Sequence, residues 1–140
     1  MKTSRLEHCR LIKLNEIENT QGSIVAPNFN NDIPFKPKRI FYIYDIPTGK
    51  SRGAHAHIEC NQFIISAMGS FDVKLDDGKD AMKINLNRPH TGLLIPAGIW
   101  ASEINFSSGG ICLVITSELF YEKDYIRNYQ SFIEYKHESK

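Results

Sequence analysis

An all-β sandwich or barrel closed by a C-terminal helix is the fold the sequence predicts, and three observations predict it. Short runs of β-branched and aromatic residues recur along the chain, several alternating apolar and polar at the period of a strand. Turn residues separate these runs at regular spacing, as in proteins built from many short antiparallel strands. Helical spacing of apolar positions appears only in the last stretch.

Taken in order, "LIKLNEI" (11–17) alternates and reads as one strand. "GSIVAP" (22–27) follows, then the Asn- and Pro-punctuated loop "NFNNDIPFKPK". "RIFYIYDI" (39–46) is aromatic and β-branched, and "PTGKSRG" ends it. "NQFIISAM" (61–68) precedes "GSFDVKLDDGK", where Phe71, Val73 and Leu75 alternate with Asp72, Lys74 and Asp76 before an Asp-Gly turn. "AMKINL", "GLLIPAG" and "GICLVITS" complete the strand-like series. In "YEKDYIRNYQSFIEYK" residues Tyr125, Ile126, Tyr129, Phe132 and Ile133 recur at helical spacing, which predicts a helix over this stretch.

The 140 residues make one domain of ordinary size, 1–140, with 41% apolar and 24% charged residues and a net charge of +1. No basic excess points to nucleic acid, although a local cluster of Arg and Lys can still receive an anion of modest size. "MKTSRLEHCRLIKL" lacks the apolar core of a signal peptide, and no run is long enough to span a bilayer. Cys9, Cys60 and Cys112 lie far apart with no CxxC pair, so reduced thiols in a cytoplasmic protein are expected. The acids of "LDDGKD" are read as a solvated hairpin turn, and Trp100 as a core residue.

Chemistry concentrates in "SRGAHAHIECNQF". In an extended segment residues i and i+2 share a face, so His55 and His57 project together while Ala54 and Ala56 face the other way. Two core histidines satisfied by backbone carbonyls are the structural alternative; the pairing beside Arg52-Gly53 favours a site. The spacing resembles the cupins, whose first motif matches Gly53, His55, His57, Gln62 and Gly69, and whose second matches Pro96, Gly98, Ala101 and Asn105. That resemblance implies a jelly roll (double-stranded β-helix). The glutamine at 62 and alanine at 101 stand at two ligand positions, leaving two imidazoles and an amide, a poor set for a divalent ion. No metal and no cofactor are expected. Imidazole titrates near neutrality, so such a pair suits proton transfer beside a carbonyl through an enediol(ate).

At a finer level the chain resembles the sugar-nucleotide 3,4-ketoisomerases, cupins acting on dTDP-4-keto-6-deoxyglucose. "QGSIVA", "PFKPKRIFYIYDIP" with "SRGAHAH", "GSFDVKLDDG" and "YEKDYIRNYQSF" carry this resemblance in the family's order. It implies a homodimer that moves the keto group from C4 to C3 on the way to 3-amino-3,6-dideoxy sugars of surface glycans such as the lipopolysaccharide O-antigen. By the same resemblance His57 is the base, His55 assists it or holds sugar hydroxyls, and a tyrosine of "RIFYIYD" is the acid, Tyr42 ahead of Tyr44. Arg39 and Arg52 suit the diphosphate or enolate oxygen, Gln62 binds substrate, and Arg127 either binds it or pairs with Asp124 or Glu122. Gln21 and Ala101 depart from the family's usual residues. A cupin epimerase, a non-catalytic sugar-binding cupin and a metal-dependent oxygenase are the competing readings; Gln62 and Ala101 argue against the last.

Overall fold

The computed structural model describes residues 2–138. Its strands are β1 (Arg10–Lys13), β2 (Glu16–Asn19), β3 (Gly22–Val25), β4 (Arg39–Ile43), β5 (Arg52–His57) and β6 (Gln62–Met68). They continue as β7 (Phe71–Asp76), β8 (Ala81–Leu86), β9 (Thr91–Ile95), β10 (Trp100–Ile104), β11 (Ile111–Thr116) and β12 (Tyr125–Ile126), and the helix α1 spans Tyr129–His137. Two five-stranded sheets, ordered β1-β9-β6-β11-β4 and β12-β5-β10-β7-β8, face each other, with antiparallel pairing throughout. This is the all-β jelly roll with a C-terminal helix that the sequence predicts.

The inward residues of the alternating strands meet between the sheets. Phe71, Val73 and Leu75 of β7 pack there with Ile64, Leu93, Ile95 and Val114. A second cluster, Phe63, Ile65, Leu94 and Ile115, lies on the outer face of the first sheet and is covered by Leu14 and Ile33. β6 is therefore apolar on both faces, which explains why "NQFIISAM" does not alternate. Phe63 presses so closely on Gly92 that a Cβ there would overlap its ring. Each fully buried aromatic contributes about 1.5–3 kcal/mol of transfer free energy.

Three elements differ from expectation. "LIKLNEI" breaks after Lys13: β1 joins β9, whereas β2 pairs with β3 alone as a hairpin that carries Ile17 and Ile24 exposed. The helix expected from Tyr121 starts only at Tyr129, with the Asn128 side chain accepting from Ser131 N–H at 2.9 Å. Ahead of it Tyr125 and Ile126 pair with His57 and Ala56 of β5, so a strand takes residues whose spacing had looked helical. Their backbone groups find partners in the sheet, which propensity alone does not foresee. In "LDDGKD" Asp77 is buried, not solvated, because it accepts the N–H groups of Leu6, Lys79 and Asp80. Trp100 is half-buried, not a core residue as expected, and packs against Tyr129 and Phe132, seating α1 on β10. Among the described residues no helix is long and apolar enough to cross a membrane.

Candidate active site

A cavity of about 790 Å³ opens between β4 of one sheet and β5 and β10 of the other. Alternation decides which side chains reach it. On β4, Arg39, Phe41 and Ile43 are half-buried whereas Ile40 and Tyr42 are exposed, and Phe41 pairs with the buried Val114 of β11. Arg39 and Phe41 therefore stand on the inner wall, the guanidinium 5.1 Å from the ring centre. Tyr42 and Tyr44, 61% and 58% exposed, stack beside each other and meet the cavity only at its rim. The hydroxyl expected from this strand is thus turned away from the histidines.

His55 lies on the cavity wall, and Ala101 of β10 is its cross-strand partner. His57 is 4% exposed and sits behind it, the two rings edge-on at 5.0 Å. Tyr125 of β12 closes the group, 4.9 Å from the His55 ring and 4.3 Å from that of His57. Arg39 Nη2 donates to the Tyr125 hydroxyl at 3.4 Å. The sequence reading makes His57 the base and His55 its helper; the structure puts His55, not His57, against the cavity.

Behind the pair stands Asp124, which the sequence reading considered only as a partner for Arg127. Its Oδ2 is 2.8 Å from His57 Nδ1, and it also accepts the N–H groups of Glu59 at 2.6 Å and Cys60 at 3.3 Å. A carboxylate only accepts, so Nδ1 carries the hydrogen and Nε2 of the neutral ring keeps its lone pair. That Nε2 is buried without a hydrogen-bond partner in the protein. Arg127 pairs with Glu122 instead, its Nε donating at 2.7 Å, and lies over the Tyr125 ring.

Burial favours neutral imidazole at both positions. His55 is pushed down to about 3 by burial, with His57 and Arg127 acting in the same direction. Burial also lowers His57, opposed by the Asp124 hydrogen bond. Both rings are therefore unprotonated at neutral pH and able to accept a proton. His57, Cys60 and Asp124 bring ligand atoms within 4.8 Å of one another. The Asp124 oxygens are already engaged by two backbone N–H groups and an imidazole, so this cluster reads as a hydrogen-bonded support for His57.

Arg39, Lys50, Arg52 and Arg127 line the cavity, and Gln62, 8% exposed, reaches it from β6. The expected residues thus gather here, apart from His57 behind the wall and the two tyrosines at the rim. Sequence reasoning missed Asp124, Tyr125, Lys50 and Glu103. For Glu103 a signal existed: it follows Ala101 at the period of a strand, on the inward face of β10. For Asp124 there was none, since it lies 67 residues from His57.

Residues 7–137 match the family described as FdtA: WxcM-like, C-terminal. The chain is 37% identical over 126 residues to a TDP-4-oxo-6-deoxy-alpha-D-glucose-3,4-oxoisomerase of Aneurinibacillus thermoaerophilus, covering 90% of this chain and 91% of that one. A 3,4-ketoisomerase from Helicobacter canadensis superposes with a TM-score of 0.90 at 38% identity, over 93% of this chain and 98% of that one. A sugar 3,4-ketoisomerase from Thermoanaerobacterium thermosaccharolyticum, solved in complex with TDP, gives 0.90 at 35% identity over 93% and 95%. A histidine-to-asparagine mutant of the latter enzyme is solved with TDP-4-keto-6-deoxyglucose. A match that runs through both sheets and into the terminal helix means that the chain belongs to the FdtA (WxcM-like, C-terminal) family.

Proposed function

We propose that this chain is a TDP-sugar 3,4-ketoisomerase that moves the keto group of TDP-4-keto-6-deoxyglucose from C4 to C3. One observation carries the reading: a neutral histidine, His55, stands on the wall of a cavity lined by Arg39, Lys50, Arg52 and Arg127. The four cations suit a nucleoside diphosphate, and the histidine suits removal of a proton next to a carbonyl. His55 takes the proton from C3, because it reaches the cavity and His57 does not. His57, oriented by Asp124, positions the His55 ring from behind. The electrons move into a cis-enediol(ate), and return of a proton to C4 leaves the ketone at C3. No external oxidant is needed, since C3 is oxidised as C4 is reduced.

The whole chain acts as a single domain, and two copies form a homodimer in the cytoplasm. The β2–β3 hairpin supports the dimer. Among the described residues it pairs only with itself, and Ile17 and Ile24 are 63% and 61% exposed on it, an apolar face that one chain leaves uncovered. Gln21 sits at this hairpin's turn, outside the cavity lining of its own chain. The product feeds synthesis of 3-amino-3,6-dideoxy sugars for surface glycans such as O-antigen.

Incubation with TDP-4-keto-6-deoxyglucose in deuterated water, followed by NMR, tests the activity. The expected result is deuterium at C4 and the carbonyl signal at C3. Deuterium without carbonyl migration would identify an epimerase, and no exchange in folded protein would identify a binding protein.

A further inference from the structure

β10 alternates so that Ala101 and Glu103 face inward. Glu103 is 6% exposed and lines the same cavity as His55. Its carboxyl lies over Gly53, where a Cβ would come 2.8 Å from Oε1 and 2.9 Å from Oε2. Gly53 has φ +90°, so the bare backbone there both makes the turn and leaves room for the acid. Arg52 is its cross-strand partner. Burial pushes the Glu103 carboxyl up to about 8 with only Arg52 opposing, and no hydrogen bond among the described residues stabilises its charge. The Glu103 oxygens are not sealed in the core but border the cavity, where a neutral carboxylic acid offers an O–H donor and a carbonyl acceptor side by side.

The surroundings leave that role open. The inner face of β4 carries Arg39, Phe41 and Ile43 and supplies no hydroxyl. Ala101, directly opposite His55 and two residues before Glu103 on β10, is only a methyl, so no side chain on β10 fills the space beside the imidazole. Diagonal cross-strand neighbours stand roughly 7–8 Å apart, and β5 has one extra residue between these two pairs. A sugar carbon and its oxygen fit in such a gap.

Resting on the ketoisomerase reading above, we propose that Glu103 is the catalytic acid that works opposite His55. As His55 takes the C3 proton, the C4=O double bond becomes a C–O single bond and its oxygen receives the Glu103 proton, giving a neutral enediol. Glu103, now a carboxylate, takes the proton from the oxygen on C3 as that C–O bond becomes C=O. The imidazolium, its proton exchanged with water entering the cavity, delivers a proton to C4, and both groups end as they began. One carboxyl serves both half-reactions because its two oxygens face the two adjacent oxygens of the enediol.

The charged group that acts on its ionisation is Arg52 on β5, while Cys112 on β11 faces it with a thiol that burial and Glu103 both push up. β7 presents the uncharged Val73 opposite it, and Arg39, Lys50, His55, Tyr125 and Arg127 share the cavity. The test is Glu103→Gln, which keeps the shape and cannot release a proton, assayed with TDP-4-keto-6-deoxyglucose beside Glu103→Asp. Expected are a fall in kcat on the order of 100-fold, an unchanged KM, and loss of the alkaline limb that the parent shows near pH 8. Glu103→Asp should restore part of both. Parental kcat or an unaltered alkaline limb in the Gln variant overturns the proposal. If Glu103→Gln fails to fold, infrared spectroscopy of the parent decides. A protonated-carboxyl band that fades above pH 8 and shifts with the nucleotide sugar, but not with TDP alone, supports it; no such band overturns it. A parent that neither exchanges nor isomerises the sugar defeats the ketoisomerase reading itself, a result separate from an active parent with an equally active Gln variant.

Discussion

Asp124 holds His57 by one oxygen and the backbone of Glu59 and Cys60 by the rest of its lone pairs. Replacing it with Asn turns one acceptor into a donor, so the His57 ring must surrender the hydrogen on Nδ1 and carry it on Nε2. Asp124→Asn should lower stability by about 2 kcal/mol and kcat by about 100-fold, with nitrogen NMR reporting the exchanged tautomer. Retention of the parental tautomer at full activity would remove Asp124 from its positioning role. At this scale the histidine pair was legible, because one short segment contains it. The acid was not. "RIFYIYDI" is apolar or aromatic on both faces, so period-two reasoning could not say whether Phe41 or Tyr42 points inward.

The C-terminal helix shows how an element is set by its anchors. Lys136, 8% exposed, donates from Nζ to the carbonyls of Ser4 and Gly98, each at 2.8 Å. Burial lowers the affinity of this amine for its proton, with nearby Asp77 and Asp76 acting against that. The N–H of Gly98 in turn donates to the carbonyl of His57 at 2.7 Å. Lys136→Met should keep the packing of the stem and leave both carbonyls without a donor, costing about 1–3 kcal/mol. Denaturant unfolding measures this, and an unchanged midpoint would show that water replaces the amine. The sequence reading found the helix but placed its start too early. The apolar period runs on through Tyr125 and Ile126, while the open edge of β5 claims those residues for a strand.

For the molecule as a whole, the two sheets and their core were readable from alternation and turn spacing. The detached hairpin was not, since Ile17 and Ile24 look like any inward strand residues. Ile17→Asp combined with Ile24→Asp should give a monomer by light scattering while leaving the sheets folded. A dimer of undiminished strength would place the contact elsewhere.

Local chemistry was enough to determine most of the strands, the presence of a terminal helix, the shared face of His55 and His57, and the absence of acidic or imidazole ligands at Gln62 and Ala101. These follow from neighbours in the chain, where backbone geometry dictates direction. Tertiary structure alone decided that His55 meets the cavity while His57 stands behind it on Asp124, that Tyr42 faces outward, and that Glu103 is buried over Gly53. Each depends on register between strands distant in sequence, and on burial, which sets the charge of a group by removing it from water.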